Sequence, residues 1–409
     1  MPNSPIRDMQ RSLTGARDEQ ITLVVAMVDG LADRSKADAL IDALRPRLAL
    51  LKPPRPVRLS RLLFMPLDPV IVPAPQWRPG RPSVPRSALP ALSDAAQTAL
   101  SAYIGRTRAL SEPWNSDDLP ALREAGMLLW PAAARVLAGV VSAPQSWSAT
   151  GLPLPLFAPL ARAVASVLEQ AVTLDRLAEE ARFGIKPSDE AIDAMLTRAA
   201  THGTESWSLL LATLLGRLAD ASPIIGRLAA DLADPSDPAA RSRAEKTADA
   251  LLDRLDAPHP TAGLIAGTDL GRAGTEVRRA ALLLDTLDRP GTPSHRRIRV
   301  QELRRQLDAS SRARFEAGIR QALAAPLEVG ITAGGEVPVG ELEAAARALR
   351  DLEGAGRRLG DSGFYDRMLS QTAERVRTLP ESSSFGYADK VRLVELLVGP
   401  DRALALLAA

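Results

Sequence analysis

The chain has 409 residues, more than a single hydrophobic core usually supports, so two or three lobes are expected. Hydrophobic residues make up 46% and charged residues 24%, but aromatic residues only 3%, so the core must consist mainly of Leu, Ala, Val and Ile. The absence of cysteine excludes disulfides, thiolate metal sites and cysteine nucleophiles. The formal net charge of +2 excludes a global field that would attract nucleic acid.

The first 52 residues predict a helical hairpin. In DEQITLVVAMVDGLADRSKADALIDALRPRLALL the apolar residues recur three and four positions apart, as one face of a helix requires. The residues Asp33-Arg34-Ser35 separate the two helices, and Pro46 ends the regular part of the second. The first apolar run, ITLVVAMV, follows acidic residues and not a basic region, so we expect no secretory signal and a cytoplasmic location.

Residues 53–90, which we call the strap, contain 11 prolines. So many residues without a backbone N–H predict an extended or turning segment that lies over another part of the protein. From Lys52 to Arg86 there are seven basic residues against Asp68, a net charge of +6. Two uses remain open. The strap can fasten the hairpin to the main body, or it can present Trp77, Arg78 and Arg81 to another protein. For the first use we expect these buried side chains: Leu62, Leu63, Phe64, Leu67, Ile71, Val72 and Trp77.

From Ser87 onward the periodicity predicts successive helices, so the fold class is all-α. We expect an apolar-centred helical domain at 91–262 and a second helical domain at 263–409. The predicted helices cover 93–110, 117–142, 155–183, 188–201, 204–220, 222–233, 238–256, 268–288, 294–325, 338–360, 362–378 and 387–407. One piece, LEVGITAGGEVPV at 327–339, has strand character and predicts either a small hairpin or an ordered loop.

A weak internal repeat is visible in LLGRL at 214–218, LLDRL at 251–255 and LLDTL at 283–287. The spacing suits stacked helix pairs, which would make the array partly solenoid-like. Leu-rich helices also resemble one another by chance, and an irregular helical bundle is the alternative.

The apolar middle, residues 126–168, has only Arg135 and Arg162 as charged residues. Its two apolar segments approach the length of a membrane span, but each contains an arginine and is interrupted by proline. We therefore expect a buried helical core whose arginines reach the surface, although a ligand pocket or a membrane-contacting face is an alternative.

The sequence offers no catalytic constellation, no cofactor motif and no metal-ligand pattern. The three histidines, His202, His259 and His295, lack the spacing of a helical metal pair. The GDSG at 360–363 lies between two helical segments and is explained by helix termination and capping. No GxxxxGK[ST] motif is present.

A second basic segment, SHRRIRVQELRRQLDASSRARF, has seven arginines against Glu302 and Asp308, a net charge of +5. On a helix part of this cluster forms a stripe on one face, with these members: Arg297, Arg304, Arg305 and Arg312. Such a stripe binds phosphates or acidic helices, or else its arginines pair with acids on neighbouring helices.

Together these features predict a soluble protein of bacterial type that is not an enzyme. We expect a scaffold or adaptor that binds another macromolecule, most readily a protein, through a helical groove or its arginine-rich faces. Few aromatic residues are available for stacking, which disfavours nucleic acid. The alternatives are a small-ligand binder or enzyme with a pocket between helices of the apolar middle, and a peripheral membrane protein.

Overall fold

A computed structural model describes residues 56–106, 110, 114–115, 118–218, 220–256, 269–289, 292–332, 337–360, 363–382 and 384–408. The predicted hairpin of residues 1–52 lies outside the described residues. The chain divides into two compact units, Met1–Leu62 with Ile104–Gly126, and Leu63–Tyr103 with Met127–Ala409. The predicted boundary between 262 and 263 falls within a stretch that is not described, and the division into helical domains stays a prediction.

The described residues form helix after helix, as the periodicity predicts. The α-helices are α1 Leu59–Phe64, α2 Leu89–Arg106, α3 Leu119–Gly139, α4 Phe157–Arg182, α5 Asp189–Thr201, α6 Thr204–Arg217, α7 Ser222–Ala233, α8 Pro238–Asp256, α9 Leu270–Leu287, α10 Ser294–Gly318, α11 Ala325–Thr332, α12 Val339–Gly356, α13 Gly363–Thr378, α14 Tyr387–Val398 and α15 Pro400–Ala408. The strands have two residues each: β1 Pro56–Val57, β2 Ile71–Val72, β3 Val84–Pro85 and β4 Trp114–Asn115. The all-α prediction is confirmed.

Several helix ends are set by capping residues and by glycine. The Ser188 hydroxyl accepts a hydrogen bond from the backbone N–H of Ala191 at 3.2 Å and caps α5. At the start of α9 the cap is Asp269, whose carboxylate accepts from the N–H of Arg272 at 3.0 Å. Gly399, with φ of 84°, separates α14 from α15, which the sequence predicts as a single helix.

In the first unit, β1 and β4 pair antiparallel, with Pro56 opposite Asn115 and Val57 opposite Trp114. In the second unit, β2 and β3 of the strap pair in parallel, with Ile71 opposite Val84 and Val72 opposite Pro85. Each pair is too short to count as a sheet, so the fold remains helical.

The strap is irregular and not continuously extended. Short 3₁₀ helices occupy Met65–Val70, Ala74–Gln76 and Arg86–Ala88. The first two have a proline in their opening positions, where its fixed φ suits a helical turn and its missing N–H costs nothing. Of the seven side chains predicted to be buried, four are buried and three are half-buried. The buried ones are Leu62, Leu63, Phe64 and Leu67, and the half-buried ones are Ile71, Val72 and Trp77.

The turn Met65–Val70 packs against α4 and α6. The contact with α6 is so close that a methyl group added to Gly216 would lie 2.2 Å from Cβ of Pro69. Helix arginines also bind the carbonyls of this turn. Arg217 donates through Nε to the carbonyl of Pro66 at 3.3 Å and through Nη2 to the carbonyl of Met65. Arg254 donates to the carbonyl of Pro69. The strap is therefore held by packing and by hydrogen bonds to its carbonyls.

The apolar middle is a core, as predicted. Trp130, Leu137, Phe157 and Val164 are fully or almost fully buried, and the Trp147 and Phe157 rings meet edge to face with 5.1 Å between their centroids. Arg135 and Arg162 are exposed, also as predicted. Searching the described residues finds no helix with the length and apolar character that a membrane crossing requires.

Residues 327–332 are helical, so the strand prediction for this piece is wrong. A short π-helical stretch, Ile319–Ala324, joins α10 directly to α11. Leu323 and Leu327, four residues apart, are both buried, so tertiary packing extends the helix through residues with strand propensity. The later part of the predicted hairpin, residues 333–336, lies outside the described residues.

Helix α9 packs most extensively on α12, which is not its neighbour in sequence, and α12 also packs on α10 and α14. A stack of helix pairs places each pair against its neighbours in the chain. This part of the protein is therefore better described as an irregular bundle, which the sequence leaves open as the alternative to a solenoid.

Candidate functional site

A surface groove of about 290 Å³ lies beside the strap. We call it the strap groove. Two of the predicted partner-binding residues, Trp77 and Arg81, line one wall. The opposite wall and floor come from α4, the start of α6 and α8. They contribute these residues: Leu156, Pro159, Leu160, Ala163, Thr204, Glu205, Ser208, Leu209 and Lys246. The groove thus joins the strap to the apolar middle.

The strap wall is a loop that is closed by an internal hydrogen bond. The Trp77 indole N–H donates to the carbonyl of Ser83 at 3.0 Å, which closes the loop between β2 and β3. Gly80, with φ of 81°, makes the turn inside that loop. Because Trp77 is held in place and half-buried, one face of its ring is oriented before any partner arrives.

The floor is apolar and buried. Ala163 of α4 and Leu209 of α6 are 4% and 3% exposed, and the Ser208 hydroxyl beside them is hydrogen-bonded to Thr247. Since these polar atoms are already satisfied, the floor offers mainly apolar surface to a ligand.

The rim carries charges of both signs. Glu205, in the first turn of α6, and Lys246 of α8 are exposed, and in the part of the chain that the structure describes neither forms an ion pair. Arg81 has a distant acidic neighbour, Asp253, with 3.9 Å between Nε and a carboxylate oxygen. Asp253 is itself bound by Arg299 at 2.6 Å. Counting only described residues, the rim therefore has one acid and one base that are not ion-paired, Glu205 and Lys246.

The third predicted strap residue, Arg78, is not part of the groove. Its guanidinium donates to the carbonyls of Pro75 and Trp77, both at 2.8 Å. It stabilises the loop that carries Trp77, and its predicted contact with a partner remains a prediction.

The predicted arginine stripe lies elsewhere, on α10, and acids of the same chain surround it. Arg304 binds Asp285 at 2.8 Å and the carbonyl of Arg358 at 2.9 Å. The other members pair as follows: Arg297 with Asp288 at 3.9 Å, Arg305 with Glu302 at 2.5 Å, and Arg312 with Asp308 at 2.7 Å. Arg297 and Arg304 thus pair with acids outside α10, as the sequence left open, whereas Arg305 and Arg312 pair with acids of α10 itself. Partner binding by this stripe stays a prediction.

Burial and pairing shift few ionisable groups. Desolvation lowers the pKa of Arg254, the guanidinium under the strap, despite the attraction of Glu276. Desolvation also raises the pKa of the Tyr365 hydroxyl, which donates to Ser311 at 3.0 Å. Neither group lines the strap groove. Among the described residues no group of three or more His, Asp or Glu side chains has the arrangement of a metal site.

The residues on the far side of the groove were not predicted from the sequence. Leu156, Leu160 and Ala163 share one face of α4 and its lead-in, and that spacing by itself predicts only a buried face. Glu205 and Lys246 are ordinary surface residues in sequence, and only the packing of α6 and α8 brings them to one rim.

Comparison with protein-family models, with curated proteins and with solved structures found no match to this chain. What the chain binds must therefore be inferred from its own geometry.

Proposed function

We propose that this chain is a non-enzymatic helical scaffold or adaptor that binds a short segment of a partner protein in the strap groove. The observation that carries the proposal is the combination of an apolar floor with the aromatic ring of Trp77 and with Glu205 and Lys246, an acid and a base that no described residue pairs. A peptide can satisfy all three features together, since it brings apolar side chains and charges of both signs.

Two features favour a peptide over a nucleic acid. A phosphate backbone would be repelled by Glu205, and the rim has no row of basic residues to track it. The groove also presents only one tryptophan, whereas single-stranded nucleic acid is held by several stacked bases.

The groove is a better candidate than the arginine stripe. An acidic partner on α10 would have to replace the acids that already bind Arg304 and Arg312. A partner in the strap groove replaces no ion pair of Glu205 or Lys246. Binding in the strap groove therefore loses less free energy to broken internal contacts than binding on α10 would.

Photo-crosslinking tests the location directly. A photoreactive phenylalanine analogue is placed at Trp77 in the full chain, and the matched control carries it at Phe183, which is 76% exposed and does not line the groove. We expect a discrete crosslinked protein from position 77 in the native host and none of that mass from position 183. Equal crosslinked products from both positions would contradict binding of the partner in the strap groove.

Charge reversal tests the rim. We expect Glu205→Lys and Lys246→Glu each to weaken capture of the protein crosslinked at position 77 by about tenfold, as loss of a charged contact does. Arg367→Gln is the matched control, because Arg367 is exposed and lies outside the groove. Capture that is unchanged in both reversals, with the fold verified by circular dichroism, would contradict the proposed contact.

A further inference from the structure

A second and larger cavity, about 650 Å³, lies between α3, α4 and the end of α5. We call it the arginine cavity. Its walls repeat one pattern: Pro131, Ala134, Arg135 and Ala138 on α3, and Arg162, Ala165, Ser166 and Glu169 on α4. In both helices the positions are i, i+3, i+4 and i+7, so each set shares one face. Small alanines leave the space open, and Thr201 and His202 close one end.

The two arginines of this cavity are available to a ligand. Each uses only Nε internally, for a long 3.4 Å hydrogen bond to a carbonyl one turn back, that of Pro131 or of Ala158. Within the described residues neither Arg135 nor Arg162 forms an ion pair with a carboxylate. Among the described residues the terminal nitrogens of both guanidiniums have no hydrogen-bond partner, and they form the planar forks that bind carboxylate or phosphate oxygens.

Ser166 lies in the wall of the cavity, four residues after Arg162. It is only 3% exposed, and among the described residues its hydroxyl has no hydrogen-bond partner. Buried hydroxyls in proteins are almost always paired, often with the carbonyl one turn back when they lie on a helix. Because the Ser166 oxygen is closed to solvent, it does not contact a ligand in the cavity, and the two arginines are the groups that face one.

The one acid of the cavity is already engaged. A carboxylate oxygen of Glu169 lies 3.3 Å from Nε2 of His202, and the two form an ion pair when the imidazole is protonated. The cavity charge is then two arginines against one carboxylate that has its own partner. The excess of positive charge favours a ligand with an anionic group. Glu169 can accept a hydrogen bond from another part of that ligand.

We propose that the arginine cavity binds a small organic oxyanion, a carboxylate or phosphate monoester, between Arg135 and Arg162. The volume lies within the range of about 300 to 1,000 Å³ typical of small-molecule sites. This site is separate from the strap groove and shares no residue with it. The inference therefore does not depend on the proposed partner binding.

Calorimetric titration of the full chain with inorganic phosphate, glycerol 3-phosphate and succinate tests the proposal. We expect saturable binding of at least one probe, weakened by added salt because both arginines are exposed. Arg135→Gln and Arg162→Gln should each weaken it by about tenfold or more. Arg367→Gln, an exposed arginine away from the cavity, should leave it unchanged. Flotation with vesicles that contain phosphatidic acid distinguishes a lipid phosphate from a free one.

Ser166→Ala is a control inside the cavity wall. Removing an unsatisfied buried hydroxyl should leave the melting temperature of the free chain equal or higher and the affinity for the probe unchanged, because the Ser166 oxygen is closed to solvent. No saturable binding of any probe to the wild-type chain would overturn the proposal. So would equal affinities in the wild type and the Arg135→Gln, Arg162→Gln double variant.

Discussion

The strap and helix α10 are both strongly basic in sequence, yet the structure uses them in opposite ways. The strap offers backbone carbonyls, which accept hydrogen bonds from arginines of the helices beneath it, Arg217 and Arg254. Helix α10 offers guanidiniums, which bind acids of the neighbouring helices, among them Asp285 and Asp249. Net charge therefore does not predict what a segment binds. The backbone decides whether a segment mainly accepts or donates, because proline-rich turns leave carbonyls unpaired and a helix does not.

The packing of the strap gives the largest expected effect. Leu67 is fully buried in the turn Met65–Val70, and Leu67→Ala should lower the free energy of unfolding by about 2–5 kcal/mol, through lost burial and the cavity left behind. Urea denaturation measures the change. Leu154→Ala is the matched control, because Leu154 is 67% exposed and should change stability by less than about 0.5 kcal/mol. Equal effects would mean that the strap is not fastened by its apolar side chains.

The close approach of strap and helix is tested by glycine substitution. Gly216→Ala places a methyl group against Pro69, and overpacking of this kind costs about 1–3 kcal/mol. Gly226→Ala in α7 has nothing within 4 Å of the new methyl group, so it should stabilise the protein by about 0.4–1 kcal/mol. The thermal midpoints of the two variants should move in opposite directions. A shift in the same direction would contradict the contact between Gly216 and Pro69.

The two uses of arginine are compared in one matched pair of variants. Arg254→Met leaves the carbonyl of Pro69 without its donor and should cost about 1–3 kcal/mol. Arg305→Met removes an exposed ion pair with Glu302 on the same helix and should cost about 0–1 kcal/mol. Urea midpoints at low and high salt measure both effects, and only the second should shrink with salt. A larger loss of unfolding free energy in Arg305→Met than in Arg254→Met would contradict the greater stabilisation expected from the bond to the strap carbonyl.

The smallest expected effect is the loss of the stability that Asp366 contributes as the pH becomes acidic. Burial alone would raise the pKa of Asp366, but hydrogen bonds from Arg357 and Arg402 hold it below its usual value. The folded-state pKa is therefore lower than that of the unfolded chain. Asp366 then contributes stability above the unfolded value of about 3.9, and that contribution is lost as the pH falls through the folded value. The group is partly exposed and screened, so the contribution is about 0.2–1 kcal/mol.

Unfolding free energies of the wild type and Asp366→Asn, measured by urea denaturation between pH 7 and pH 2.5, test this sign. The difference between them should be constant near neutral pH and should shrink below about pH 4. A difference that grows as the pH falls would mean that the folded-state pKa is raised and not lowered.

Local residue spacing was sufficient to predict most helices, because a helix pairs its backbone within itself and needs only an apolar face and suitable ends. Helices α7 and α8 have the predicted bounds, and α5 begins one residue after the predicted start at 188. The piece at 327–332 was predicted wrongly, since its residues favour a strand locally and packing of Leu323 and Leu327 outweighs that preference.

The sites were much less predictable. Trp77 and Arg81 stood out in sequence because the strap is unusual, and Arg135 and Arg162 because they interrupt an apolar region. Nothing in the sequence indicated that Glu205 and Lys246 share a rim with Trp77, or that Ser166 is buried without a partner beside Arg162.

By itself, then, the sequence determined that this protein is helical and where most of the described helices lie along the chain, since both follow from interactions between residues a few positions apart. Only the tertiary structure decided where the strap lies, which acids meet the arginines of α10, and where the two cavities open. Those outcomes depend on contacts between residues far apart in the chain, whose pairing is set by the shapes and charges of whole helices and not by any local pattern.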